Sequence, residues 1–370
     1  MHFISNRHDL NDMIYVVQRA ISTKSPMPIL TGIKFEVTDD DLLVATATDL
    51  EIGIKYSMPV KVFEPGVAIL PSKYIIDLIR LLPDLPIVFK DDPQNSNITV
   101  KYGESETAIN CYPTEEYPGL EFPDNENSFT IKESVLENTL KQIIFAIASS
   151  DTRTAALTGA MFTVNKKQVE IVSTDLHRLT WCILPIENSD IGNKTIIIPG
   201  KTLGEINRII GKNDNNIRVS INENQVLFYF DKVSIISRLM NGQFPKFKHV
   251  IPEKHTTRIR VKTKEFLEAT ERASLLGKEE KSSIKLVIND GLMVISDTTV
   301  AGQIYEEISV ELDGESTKIG FNAFYLIDLL RIIKSEEIEI DLAGSFSPGV
   351  FKPIGEKDNF SLILPVRIEV

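Results

Sequence analysis

A twelve-residue stretch of this chain returns twice, and that recurrence limits the possible folds more than any bulk property does. The first copy spans Pro71–Leu82, the second Pro199–Ile210 and the third Asn322–Ile333, at spacings of 128 and 123 positions. Each copy reads as a helix that begins just after a strand. Leu326, Leu329, Leu330 and Ile333 fall at i, i+3, i+4 and i+7, which places them on one helical face, and Leu203, Ile206 and Ile210 follow the same rule more sparsely. Pro71 and Pro199 stand at the helix start, where proline removes no needed donor. The tenth position of every copy is arginine: Arg80, Arg208 and Arg331. A core needs the apolar face three times, but it does not need the same cation opposite. The repeated cation is either a solvated helix surface or the mark of a shared partner with regularly spaced negative charge.

Other landmarks keep the same period. Short strands at Phe3, Phe129 and Ile259 precede helices whose apolar positions begin in register at Leu10, Leu136 and Phe266. Thr48-Asp49, Thr174-Asp175 and Ser296-Asp297 read as one strand end in each copy, and Tyr117-Pro118, Phe244-Pro245 and Leu364-Pro365 as the close of each unit. Between the helices lie alternating runs such as 33–37, 42–46, 168–172 and 292–295, the period of antiparallel strands buried on one face. Each repeat is therefore expected to hold one sheet and two helices, an α+β unit. The expected domains are 1–125, 126–253 and 254–370. The acidic 121–127 and the basic Lys246-Phe247-Lys248-His249 are the short connectors between them. A chain of 370 residues exceeds the roughly 250–300 at which single cores stop growing, and three units respect that bound.

With 40 Lys and Arg against 52 Asp and Glu, the net charge is −12. A field of that sign, if evenly spread, argues against nucleic acid, whose binding depends on neutralising phosphates. A protein acidic outside and basic on one inner surface would give the same total. No run approaches the roughly 18 apolar residues that span a bilayer, and the N-terminus lacks the apolar centre of a signal peptide, so neither a membrane nor export is expected. Cys111 and Cys182 lie in different repeats and suit a reducing compartment as buried thiols, and the protein is expected in the cytoplasm.

Catalytic signals are weak. Asp175 and His177, two residues apart, could form an acid–base pair or begin a metal site, but no second His or Cys cluster has ligand spacing. Phosphate-loop, nucleophile-elbow and zinc-helix patterns are absent. No catalytic residue, metal or cofactor is expected, and the chain reads as a binding protein.

Six segments, in order, carry a resemblance: 27–32 (MPILTG), 46–51 (TATDLE), 174–179 (TDLHRL), 241–245 (NGQFP), 319–322 (IGFN) and 364–368 (LPVRI). On a threefold repeat of this period they resemble the bacterial DNA polymerase III beta subunits, the sliding clamps, over the full length. The resemblance implies a head-to-tail homodimer whose six domains close into a ring, with helices lining the hole and sheets outside. It implies sequence-independent binding of duplex DNA, processivity for the replicative DNA polymerase, a clamp loader, other clamp-motif proteins and no catalysis. By position it assigns Lys24, Lys73, Arg80, Arg153, Lys201, Arg208 and Arg331 to the DNA-facing surface. Lys24 stands where the family commonly has arginine. A pocket for short peptide motifs is implied at Leu157, Thr174, Leu176, His177, Arg178, Leu179, Pro245 and Val250, joined by Phe346, Pro348, Leu362, Leu364, Pro365, Val366 and Arg367. Leu176 replaces a common glycine, and Glu369 and Val370 extend the usual terminus; a mild narrowing of the cleft is expected. Leu275 and Leu276 are expected to meet the partner near Ile109.

Overall fold

Period-two runs become strands wherever the chain can pair them, and helices form where apolar spacing shifts to three and four. The computed structural model describes residues 1–22, 26–92, 95–122, 127–149, 152–187, 189–211, 215–277 and 283–367. In the first repeat they form β1 (His2–Ser5), α1 (Arg7–Val17), β2 (Gly32–Val37), β3 (Leu42–Thr48), β4 (Ile52–Pro59), β5 (Lys61–Glu64), β6 (Gly66–Pro71), α2 (Ser72–Leu81), β7 (Ile87–Asp92), β8 (Asn97–Tyr102) and β9 (Ser105–Asn110). The second gives β10 (Ser128–Lys132), α3 (Glu133–Ile144), β11 (Gly159–Val164), β12 (Gln168–Thr174), β13 (Arg178–Pro185), β14 (Lys194–Pro199), α4 (Gly200–Ile209), β15 (Asn216–Ile221), β16 (Gln225–Phe230) and β17 (Val233–Arg238). The third gives β18 (Thr257–Lys262), α5 (Thr263–Ala273), β19 (Ser283–Asn289), β20 (Leu292–Thr299), β21 (Gly302–Ser309), β22 (Glu311–Gly314), β23 (Thr317–Asn322), α6 (Ala323–Ile332), β24 (Glu337–Leu342), β25 (Gly349–Pro353) and β26 (Asn359–Ile363).

The expectation of one sheet per repeat is corrected by the pairing. Each repeat divides its strands between two sheets, and two of the sheets run across repeats. One compact unit, Met1–Glu133 with Asn213–Leu239, holds a five-stranded sheet in the order β5-β1-β7-β8-β9 and an eight-stranded sheet in the order β10-β15-β16-β17-β4-β3-β2-β6. The other, Ser134–Lys212 with Met240–Val370, holds a nine-stranded sheet, β14-β11-β12-β13-β26-β25-β24-β18-β22, and a four-stranded sheet, β21-β20-β19-β23. The reason lies in edges: a strand left unpaired at the side of one repeat finds its complement at the side of the next. The two junctions share one register. Val233 opposes Tyr56 where β17 meets β4, and the corresponding Asn359 opposes Cys182 where β26 meets β13.

Register also corrects one landmark. Thr46, Val172 and Ser296 oppose Lys34, Met161 and Lys285, each two residues into its strand, so Ser296 matches Thr46 rather than Thr48. The strand end in the third repeat is Thr298-Thr299, and Asp297 falls where the others carry Ala47 and Ser173.

Packing follows the repeated apolar face. In the first unit Phe3, Phe35 and Phe89 are fully buried, with Phe3 and Phe89 stacked at 4.8 Å. In the second, Phe266 of α5 and Leu326 and Leu330 of α6 meet Phe321 and Phe351 of the sheets. The proline that precedes α2 and α4 is replaced before α6 by Asn322, whose side chain accepts from the N–H of Phe324 at 2.9 Å and caps the helix. Among the described residues, no helix is long and apolar enough to cross a membrane.

Candidate functional site

The turn between β12 and β13 is held by its own side chains. Thr174 Oγ1 donates to the Arg178 carbonyl at 2.7 Å and accepts from Leu176 N–H, while Asp175 Oδ1 accepts from the N–H groups of His177 and Arg178 at 2.9 Å. Leu176 sits at φ 75°, a left-handed conformation that costs a side-chain-bearing residue about 1 kcal/mol, and its side chain is 57% exposed. The first repeat builds the same turn from Thr48, Asp49 and Leu50, also at φ 75°. It ends on Ile52 where the second ends on Arg178.

That arginine sets the electrostatics of the place. Its Nε donates to Asp175 Oδ2 at 3.0 Å and an Nη to Asp328 Oδ2 of α6 at 2.8 Å, and the guanidinium lies over the rings of Tyr325 at 4.5 Å and Phe145 at 5.1 Å. The fork fits two carboxylates and two π-faces, a combination lysine could not serve. Leu364 N–H donates to the His177 carbonyl at 2.8 Å and Val366 N–H to the Gly320 carbonyl at 2.9 Å, which fastens the C-terminal segment beside the turn.

Around the turn opens a cavity of about 230 Å³ lined by Thr174, Leu176, His177, Arg178, Leu179, Pro245, Val250, Leu362 and Leu364, joined by Lys246, Phe247 and His249. Leu179, Phe247 and Leu362 belong to the apolar cluster beneath it. Leu157 is buried outside the lining, and Phe346, 85% exposed, Pro348, Pro365, Val366 and Arg367 also lie outside it. Sequence reasoning missed Lys246, Phe247, His249, Tyr325 and Asp328. The last two carried a readable signal, since they stand three apart on α6 and face one way.

The three repeated arginines all fall in the last turn of their helices, α2, α4 and α6, and all are exposed. A cation is favoured there by the partial negative charge of the helix end. Each copy also carries an acid three residues earlier: Asp77, Glu205 and Asp328. Asp77 pairs with Arg80 at 2.8 Å and Glu205 with Arg208 at 2.5 Å. Asp328 is drawn away to Arg178, and Arg331 pairs instead with Glu271 of α5 at 2.7 Å. Lys73 and Lys201 are exposed in the first turns of α2 and α4, and Arg153 is exposed in a loop. Lys24, Glu369 and Val370 lie outside the described residues.

Leu275, in a 3₁₀ turn after α5, is 68% exposed, and Leu276 is half-buried. Ile109 is 6% exposed on β9, the edge of the five-stranded sheet. It borders a groove of about 670 Å³ shared with Pro71, Tyr74, Leu78, Ala108 and Tyr112.

Nothing here resembles a catalytic pair. Asp175 receives the backbone of His177, not its ring, and spends its second oxygen on Arg178. Burial, with a contribution from Asp91, pushes the Cys111 thiol up to about 11, and burial raises Cys182 further, so neither is a thiolate at neutral pH. Among the described residues, no group of three His, Cys, Asp or Glu could hold a metal.

The chain matches three descriptions of one family: the N-terminal domain of the DNA polymerase III beta subunit over residues 1–121, its central domain over 130–246 and its C-terminal domain over 248–367. It is 33% identical to the beta sliding clamp of Staphylococcus aureus over 369 residues, covering 97% of this chain and 96% of that protein. The crystal structure of the DNA polymerase sliding clamp from Bacillus subtilis is similar with a TM-score of 0.95 at 29% identity. That of the DNA polymerase III subunit beta from Pseudomonas aeruginosa gives 0.93 at 26%, and both likenesses cover all of either chain.

Proposed function

The chain belongs to the DNA polymerase III beta subunit family, and from that premise we propose that two copies join head to tail into a ring that encircles duplex DNA. The observation that carries the dimer is the repeated junction register. Two junctions within the chain use it, and they leave one complementary pair of edges unmatched, β9 in the first repeat and β21 in the third. Extending the register puts Ser105 opposite Glu306 and Ile109 opposite Gly302 of a second copy. The eight residues of β21 form a long open edge, which a soluble protein ordinarily covers. The exposed Leu275 supports the same contact, because the groove beside Ile109 offers an apolar seat for it.

For DNA, support comes from the repeated arginines, with Lys73, Lys201 and Arg153 as further contacts and Lys24 by resemblance alone. Asp77 and Glu271, the partners of Arg80 and Arg331, are exposed and can exchange for phosphate, since ion pairs at such surfaces hold by only about 0–1 kcal/mol, whereas Glu205 beside Arg208 is largely enclosed. Phosphate contacts carry no sequence information, so a ring using them can hold DNA and slide. The 174–179 cavity then serves short segments of the replicative polymerase, the clamp loader and other partners. Tethering raises processivity through effective concentration. This activity places the protein with the chromosome in the cytoplasm.

Changing Arg80, Arg208 and Arg331 together to glutamate is expected to leave the dimer's mass unchanged and to abolish clamp-dependent processive synthesis. Full processivity in a correctly dimeric triple variant would remove these arginines from the DNA surface.

A further inference from the structure

One rim of the cavity carries charge that neither the fold nor the pocket's apolar floor requires. Between Asp231 and Glu253 the chain has no carboxylate, and within that interval stand Lys246, Lys248 and His249. Lys246 and His249 line the cavity, all three are exposed, and among the described residues none of their side chains makes a hydrogen bond or ion pair. The first repeat shows that the backbone does not demand these side chains. The chain there closes with Tyr117-Pro118 as the second closes with Phe244-Pro245, yet it continues through Gly119, Glu121 and Phe122 at the matching places.

The arginine of the same lining reads differently. Arg178 is occupied by Asp175 and Asp328 together, so its charge is spent inside the protein. The lining therefore holds one arginine whose charge is already neutralised and, in Lys246, a cation without a partner among the described residues. In a chain of net charge −12, distant acids would repel an acidic ligand, but screening over roughly 8 Å at physiological salt leaves the local cations in control.

Resting on the reading of this cavity as a seat for partner segments, we infer that the segments it favours carry carboxylates beside their apolar anchor, read by Lys246, Lys248 and His249. Rim charges of this kind act on encounter rate and partner choice more than on the anchor itself.

The test uses two short synthetic peptides with the same central Leu-Leu anchor, one flanked at both ends by Asp and the other by the uncharged isostere Asn. Titrated by calorimetry into the full-length protein, the Asp peptide is expected to bind about three- to tenfold more tightly at low salt, with the advantage shrinking as salt rises. In the Lys246→Gln/Lys248→Gln variant the ratio of the two affinities should fall toward one, and measurable binding of the Asn peptide shows that the variant is folded. Equal binding of both peptides, or an advantage that survives the variant, would overturn the charge reading and leave the pocket reading standing. Binding of neither peptide would overturn both.

Discussion

Asp297 brings a carboxyl to a place that the other two repeats fill without charge. Ala47 and Ser173 are fully buried there, and Ser173 Oγ donates to the Ile143 carbonyl at 2.6 Å. Asp297 Oδ2 is enclosed with no partner, and burial raises its pKa. A raised carboxyl pKa means that the folded state prefers the protonated form, so Asp297 costs stability at neutral pH and costs less as pH falls toward its folded value. Asp297→Ser is therefore expected to stabilise the protein by about 1 kcal/mol at pH 7, with the gain shrinking toward pH 4, as thermal melts across pH would show. The enclosure of that one oxygen was not legible in the sequence, where Ser296-Asp297 imitates the Thr-Asp strand ends two residues out of register. Arg178 was visible as a pocket residue, but its double carboxylate grip depends on α6.

At the scale of elements, β18, β24 and β25 are laced by a cross-strand ion cluster. Asp341 of β24 accepts from Arg258 Nε at 2.6 Å and an Arg258 Nη at 2.9 Å, and from Lys352 Nζ at 2.5 Å. Burial alone would raise its pKa, yet the hydrogen bonds and charges of Arg258 and Lys352 outweigh burial and hold the carboxyl below its ordinary range. A depressed pKa contributes stability above the unfolded value near 3.9 and loses it as pH falls through the lower folded value. Asp341→Asn should cost about 1–3 kcal/mol at neutral pH, and the gap from the parent should close below about pH 4 in denaturant titrations. The helices were more legible than the strands. An apolar face spaced at three and four is a local pattern, so α2, α4 and α6 could be read directly, down to the arginine in each last turn.

For the whole molecule, the open edges and Leu275 make one prediction. Leu275→Asp should leave the fold intact, because Leu275 is largely exposed, while shifting the mass in solution from twice 41.5 kDa to that of a single chain. Light scattering would read it, and an unchanged dimer would move the interface elsewhere. The same variant should lose processivity even with Arg80, Arg208 and Arg331 unchanged, since a half ring cannot retain a duplex.

By resemblance the sequence pointed to the family and to most residues that line the cavity; by its own pattern it determined the threefold period, the α+β character of each repeat and the apolar faces. These are local or periodic properties, and a period survives in the order of residues whatever the chain later touches. Only the tertiary structure decided which sheet each strand joins, that Asp328 leaves Arg331 for Arg178, that one carboxylate oxygen of Asp297 is enclosed without a partner, and that Leu157 and Phe346 stand outside the cavity. Each of those depends on pairing between residues far apart in the chain, where edge hydrogen bonds and the competition of carboxylates for one guanidinium are settled by geometry that no local pattern encodes.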